Sequence, residues 1–152
     1  MRIVNRKARY KYFILDTFEA GVVLNGGEVK SIRQGRVDLS NSFAKILNGE
    51  VFLINAYINP YQGSDPGVDP KRSRKLLMHR SEIDSLIGKL SSKSMSLIPI
   101  NIYSKRNMFK VQLGLGKPKS KFDKRRDILK KDEQRRLEQE LKGIKDNNGR
   151  VI

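Results

Sequence analysis

The sequence contains no cysteine and a single histidine, His79. Without cysteine there is no disulfide scaffold, no thiolate zinc site and no cysteine nucleophile. With one imidazole, neither a histidine-rich metal site nor a two-histidine mechanism is expected. Long apolar runs are missing too. None approaches the roughly 20 residues that a membrane-spanning helix needs. Met1 to Lys11 is basic and lacks the apolar core of a signal peptide. The expectation is a soluble cytoplasmic protein with no membrane partner. Acidic residues are scarce against basic ones: 16 Asp and Glu face 32 Lys and Arg, a net charge of +16 over 152 residues. Such an excess says little about fold. It does point to partners, because basic surfaces seek phosphate or anionic lipid.

Composition divides the chain near Gly116-Lys117-Pro118. Residues 1–116 carry 19 basic and 9 acidic residues, and 117–152 carry 13 and 7. The second region is the more basic per residue and is poor in apolar side chains, too poor to build a core of its own. The reading is a domain over 1–116 and a basic tail over 117–152.

The domain reads mostly as strands. Tyr12, Ile14, Phe18, Ala20, Val22 and Leu24 alternate, with Asp16 breaking the set, and period two marks a half-buried strand. Asn25-Gly26-Gly27 reads as a turn and Glu28 to Arg33 as a short helix. Ser42–Leu47 and Val51–Ile58 flank Asn48-Gly49, a strong hairpin signal. Pro60 to Lys75 reads as a long loop ending in Lys71, Arg72, Arg74 and Lys75. Ser81 to Leu90 carries an Ile83, Leu86, Ile87, Leu90 stripe of helical spacing, with Ser81 and Asp84 placed as a capping box. Leu97–Tyr103 and Phe109–Leu115 form another hairpin, turning at Lys105-Arg106-Asn107. About six strands with two or three short helices and no βαβ rhythm imply a mainly β, antiparallel fold. A positively charged set of this size suggests a small barrel of the oligonucleotide-binding kind.

Several clusters carry possible chemistry. Arg2, Arg6, Lys7, Arg9 and Lys11 interleave with Tyr10 and Tyr12. Cations that neutralise phosphates beside rings that stack on bases suit RNA; a solvated leader with two core tyrosines is the other reading. Glu19 lies among apolar neighbours, so it needs a partner or faces out. It is either an exposed or salt-bridged strand residue or an acceptor for an RNA amino or hydroxyl group. Glu28, Lys30 and Arg33 divide between helix capping and a backbone-binding face. His79 fits a cap or packing role better than metal ligation, with no second ligand at metal spacing. Gly114-Leu115-Gly116 lacks the third glycine of a dinucleotide site, and no phosphate-loop motif occurs. No Ser/His/Asp set is plausible. No catalytic group, cofactor or metal is expected.

In the tail, Lys117 to Lys131 is a basic run. Ser120 and Asp123 have weak capping-box spacing, and Asp127 with Lys131 and Glu138 with Lys142 are i, i+4 pairs. The apolar stripe is thin. The expectation is a tail disordered when free and helical along a polyanion, stopping at Gly143, as blocks of like charge often form interaction tails.

Here the motifs become specific. Asn5-Arg6-Lys7-Ala8 before Tyr12-Phe13-Ile14 resembles the N-terminus of the bacterial SsrA-binding protein family, small protein B. Phe18-Glu19-Ala20-Gly21, Gly27-Glu28-Val29-Lys30-Ser31, Asp69-Pro70-Lys71-Arg72-Ser73-Arg74-Lys75-Leu76-Leu77 and Asp123-Lys124-Arg125 follow in the family's order. The resemblance implies a closed six-stranded antiparallel barrel related to the oligonucleotide-binding fold, with a basic C-terminal tail. It implies a non-enzymatic protein, monomeric when bound to RNA. The implied partners are the tRNA-like domain of transfer-messenger RNA and ribosomes stalled on truncated messages. There the tail enters the empty messenger channel.

By position, Glu19, Leu77, His79 and Lys110 match the family's RNA-binding surface. Asn5, Arg6, Lys7, Lys30, Arg74 and Lys75 join them through charge and motif membership. Asp123, Lys124 and Arg125 match the tail motif used on the ribosome. Phe122 stands where the family often has His or Tyr, keeping a ring that can stack. Leu141 falls at an apolar tail anchor. Two departures occur. Lys117-Pro118-Lys119 replaces the usual Gly-Lys-Lys, and Pro118 fixes φ where the tail leaves. The turn at Lys105 to Met108 lacks Asn-Gly. A general RNA chaperone on the same barrel and an RNA-processing enzyme are the alternatives. The first would not need Asp123.

Overall fold

Alternation and turn chemistry build the largest hairpin. In the computed structural model, which describes residues 1–63, 66–91 and 94–148, β8 (Ser96–Lys105) and β9 (Met108–Pro118) pair from Lys105–Met108 down to Ser96–Gly116. Among the described residues the other strands are β1 (Arg2–Val4), β2 (Tyr12–Val22), β3 (Val37–Asp38), β4 (Phe43–Leu47), β5 (Glu50–Ile54), β6 (Tyr57–Ile58) and β7 (Arg74–Leu77). The helices are α1 (Ala8–Lys11), α2 (Gly26–Arg33), α3 (Arg80–Ser91) and α4 (Lys121–Asn148). The antiparallel order β8-β4-β5-β7-β2-β9 closes on itself through the β8–β9 hairpin. The result is a ring of six strands, as the resemblance implied. β1 adds beside β4 on the other edge of β8, and β3 pairs separately with β6.

The ring encloses Ala20, Val51, Leu53, Leu76, Leu97, Ile102, Val111 and Leu113, with Ile32 of α2 and Leu86 of α3 packed in from the helices. Each large aliphatic side chain so buried contributes about 1.5–3 kcal/mol. Phe109, Val111, Leu113 and Leu115 face inward, and Lys110 and Gln112 face out. Ile83 and Leu86 of the α3 stripe are buried, whereas Ile87 is exposed.

The β2 alternation is broken by a bulge. Ile14 pairs with Gly116 and Asp16 with Leu115, so Leu15 is the extra residue. A bulge rotates the side chains that follow it. Phe18, Ala20 and Val22 therefore face the barrel interior, while Tyr12 and Ile14 lie on the outer face. They do not share one face as the pattern predicted. A second bulge lies between Pro99 and Asn101 of β8. Outside the ring, Ile14 and Ile100 close over Gly114, where a Cβ would come within 2.8 Å of Ile100 Cδ1.

Other expectations change for local reasons. Asn25-Gly26-Gly27 is not a free turn. Asn25 caps α2, its side chain accepting from Glu28 N at 2.9 Å while Glu28 accepts from Asn25 N at 3.0 Å. The α3 start uses Glu82, which accepts from His79 N at 3.4 Å. Asp84 instead pairs with Arg80 at 3.4 Å. The run to Ile58 breaks at Asn55, which has φ 65°. β7 begins inside the predicted loop, and β1 was not apparent in the basic leader.

The chain divides into two compact units, Met1–Pro118 and Lys119–Ile152. Lys117 and Pro118 pair with Phe13 and Tyr12, so these two residues extend the last strand. In the second unit α4 passes Gly143 and reaches Asn148, so Gly143 is not the stop. Asp127 pairs with Lys119 where Lys131 was expected. The side chain of Lys142, expected to pair with Glu138, lies outside the described residues.

Candidate nucleic-acid interface

Register aligns one row of outward side chains. Gly21 of β2 lies opposite both Leu77 of β7 and Lys110 of β9. Lys110 lies opposite Tyr103 of β8, which lies opposite Arg2 of β1. Residues directly opposite share a face, so Leu77, Lys110, Tyr103 and Arg2 cross five strands in one line. Glycine between Leu77 and Lys110 keeps the row low there. A Cβ there would sit 3.4 Å from Leu77 Cβ and 3.7 Å from Lys110 Nζ.

Two residues back along β2, on the same face, Glu19 lies opposite Gln112, which lies opposite Asn101. Asn101 donates to Gln112 at 2.7 Å. The Tyr103 hydroxyl donates to Glu19 Oε2, and Lys105 Nζ donates to Oε1 at 3.4 Å. The hydrogen bond from Tyr103 holds the Glu19 carboxyl below its ordinary range, with help from Lys105 and Lys110. Burial and the Glu19 carboxylate push the Tyr103 phenol up to about 12. Both groups keep their usual charge at neutral pH.

Two shallow depressions flank Glu19. One, of about 280 Å³, is lined by Glu19, Gly21, Leu77, Met78, His79, Glu82 and Lys110. The other, of about 380 Å³, is lined by Arg2, Thr17, Phe18, Glu19, Tyr103, Lys105 and Gln112. Leu77 is half exposed, an apolar side chain offered to solvent beside cations. Lys75 lies on the same face of β7, its Nζ 3.2 Å from Glu50. The four residues predicted from the RNA surface therefore meet around one depression.

The wider set does not all join them. Arg74 is completely buried. Its guanidinium donates to Glu28 Oε2 at 2.7 Å, to Ala56 O at 2.5 Å and to Pro70 O at 2.9 Å. It holds the domain together and has no route to a phosphate. Asn5 is also buried, donating to Pro99 O at 2.8 Å and Leu39 O at 3.2 Å. Charge and motif membership alone could not separate such residues from surface ones. Arg6 and Lys7 are exposed just before α1. Lys30 is exposed on α2, its ammonium 5.1 Å from the Tyr61 ring centre.

The tail is organised by its own first turn. Ser120 Oγ accepts from Asp123 N at 3.2 Å and donates to Asp123 Oδ2 at 2.8 Å. Phe122 is exposed with Arg126 5.8 Å above its ring, and Leu141 is exposed.

The model of the family described as SmpB protein matches residues 2–143. This chain belongs to the SmpB protein family. An SsrA-binding protein of Bacillus subtilis is 54% identical over 135 residues, covering 88% of this chain and 86% of that one. One from Halothermothrix orenii is 50% identical over 139 residues, covering 91% and 90%. Among solved structures, a chain from "tmRNA-SmpB: a journey to the center of the bacterial ribosome" superposes with TM-score 0.67 at 48% identity. It covers 79% of this chain and 85% of that one. No helix among the described residues is long and apolar enough to cross a membrane. The SmpB motifs thus divide by location. Glu19 and Gly21 of one motif and Lys75 and Leu77 of another lie on the outer face, while Glu28 and Arg74 lie inside.

Tyr103 and Arg2 were missed as members of this face. Arg2 was visible only as one more charge in a basic leader. Tyr103 read as the end of a core strand, and nothing local reveals that its hydroxyl reaches a residue 84 positions away.

Proposed function

We propose that this protein is an SsrA-binding protein without catalytic activity. It binds the tRNA-like domain of transfer-messenger RNA and delivers it to ribosomes stalled on truncated messages in the cytoplasm. The observation that carries the reading is the meeting of Glu19, Leu77, His79 and Lys110 around one depression on a basic barrel. Lys110 and Lys75 position the RNA through its phosphates. Leu77 and His79 supply shape contacts, and Glu19 keeps acceptor capacity toward an amino or 2′-hydroxyl group. Specificity for one folded RNA then comes from shape more than from base sequence. The protein acts as a monomer on this RNA. The SmpB family membership and the solved tmRNA-SmpB relative support the role.

The second unit acts on the ribosome. Phe122, Asp123, Lys124 and Arg125 open α4, and Leu141 lies on its later turns. Ile128, Leu129, Leu137 and Leu141 are exposed, so the helix has little buried surface of its own. Most helical stability in proteins comes from packing an apolar face, and this helix packs little of one. The tail is disordered when free and helical in the empty messenger channel.

The test separates the two units by a cut after Pro118, where β9 ends. Removal of residues 119–152 leaves RNA binding intact and abolishes tagging of stalled chains. Lys110→Ala weakens binding of the tRNA-like domain and reduces the salt slope by about one unit. A broad RNA mixture that washes off the purified protein as salt rises would instead mark a general RNA chaperone.

A further inference from the structure

We propose that the RNA face continues past Glu19 onto β8 and β1, where Arg2 and Tyr103 form a stacking platform for one unpaired base. Glu19 is the residue that positions this platform. The inference rests on the RNA-binding reading and extends it.

Three observations carry it. The Arg2 guanidinium lies over the Tyr103 ring, 5.3 Å from its centre. Guanidinium planes and aromatic rings are the surfaces on which unstacked RNA bases settle. Next, the depression beside this pair is separate from the one around Leu77 and His79, and Glu19 belongs to both walls. At about 380 Å³ it suits a single nucleotide and not a duplex. Finally, both Glu19 oxygens are engaged, Oε2 by the Tyr103 hydroxyl and Oε1 by Lys105. That fixes Tyr103 across β9 and draws the Lys105 ammonium to the rim.

Charge selects the ligand group. A carboxylate in the wall repels phosphate, so the hollow favours a neutral base or the sugar. Lys105 and Arg2 at its edge suit the phosphates on either side. An unpaired nucleotide of a folded RNA matches this arrangement.

The experiment measures binding of an in vitro transcribed tRNA-like domain of transfer-messenger RNA to the full-length protein across a salt series. Tyr103→Ala should weaken binding about tenfold with an unchanged salt slope, since no charge is lost. Arg2→Ala should weaken binding and lower the slope by about one unit. Tyr103→Leu keeps apolar bulk in case the alanine variant does not fold, and it should weaken binding as much. A double-mutant cycle reads the positioning role: Glu19→Ala should cost at least about tenfold in the native background and at least about threefold less than that beside Tyr103→Ala, the remainder being its own contact with the RNA. Additive losses would overturn that role. Native binding in folded Tyr103→Ala or Tyr103→Leu protein would overturn the platform. If Lys110→Ala weakens binding while these variants do not, only the extension fails. If Lys110→Ala is also silent, the RNA-face reading fails with it.

Discussion

Arg74 and Glu28 meet inside the barrel unit, with Arg74 Nη2 2.6 Å from Glu28 Oε2 and both side chains almost free of solvent contact. The pair joins β7 to the first turn of α2. Glu28 also caps α2 and binds Arg72, so one carboxylate ties together a helix start, a loop and a strand. Removing one partner of a buried pair leaves an uncompensated charge. Arg74→Ala should therefore cost about 3–5 kcal/mol in urea denaturation. Lys75→Ala removes only an exposed pair with Glu50 and should cost less than about 1 kcal/mol. Equal losses would show that burial does not decide the outcome.

The same carboxylate makes stability depend on acid. Burial works to raise the Glu28 carboxyl, but hydrogen bonds from Arg72, the Asn25 N–H and Arg74 outweigh it and leave the group below its ordinary value. A depressed carboxyl stabilises the fold above its unfolded pKa, and that contribution is lost as pH falls through the folded value. Urea midpoints should be flat from about pH 7 to pH 5 and drop below about pH 4. A rise in midpoint on acidification would contradict the sign.

Two hairpins share a turn geometry and differ in residues. Asn48 and Gly49 have φ 53° and 76°, and Arg106 and Asn107 have 51° and 63°. Positive φ at both central positions favours Asn-Gly, and an arginine there is strained. Replacing Arg106-Asn107 by Asn-Gly should stabilise the barrel by about 1 kcal/mol. A lower thermal midpoint in the doubly substituted protein would refute this.

Asp123 of the tail motif also has a structural duty. Ser120 and Asp123 bond reciprocally at the start of α4. Ser120→Ala should cost about 0.5–2 kcal/mol of helix stability, read as lower helicity of a 117–148 tail peptide at equal trifluoroethanol concentration. Unchanged helicity would remove the cap from any account of the motif.

What the sequence determined by itself was local. Alternation marked β9, Asn-Gly marked the β4–β5 turn, and the Ser120–Asp123 spacing started α4, because each depends on neighbours within a few residues. Family position also singled out Glu19, Leu77, His79 and Lys110, which the fold brings around one depression. Even the bulge left a trace, in the Asp16 that broke the alternation, though not its effect on Tyr12 and Ile14. Tertiary structure alone decided which charges face solvent and which are struts. Arg74 and Lys75 are adjacent and equally basic, yet strand alternation sends one inward to Glu28 and the other out. The row from Leu77 through Lys110 and Tyr103 to Arg2 exists only because ring closure brings distant strands into register. Pairings between strands distant in sequence depend on the whole sheet, and no local pattern encodes them.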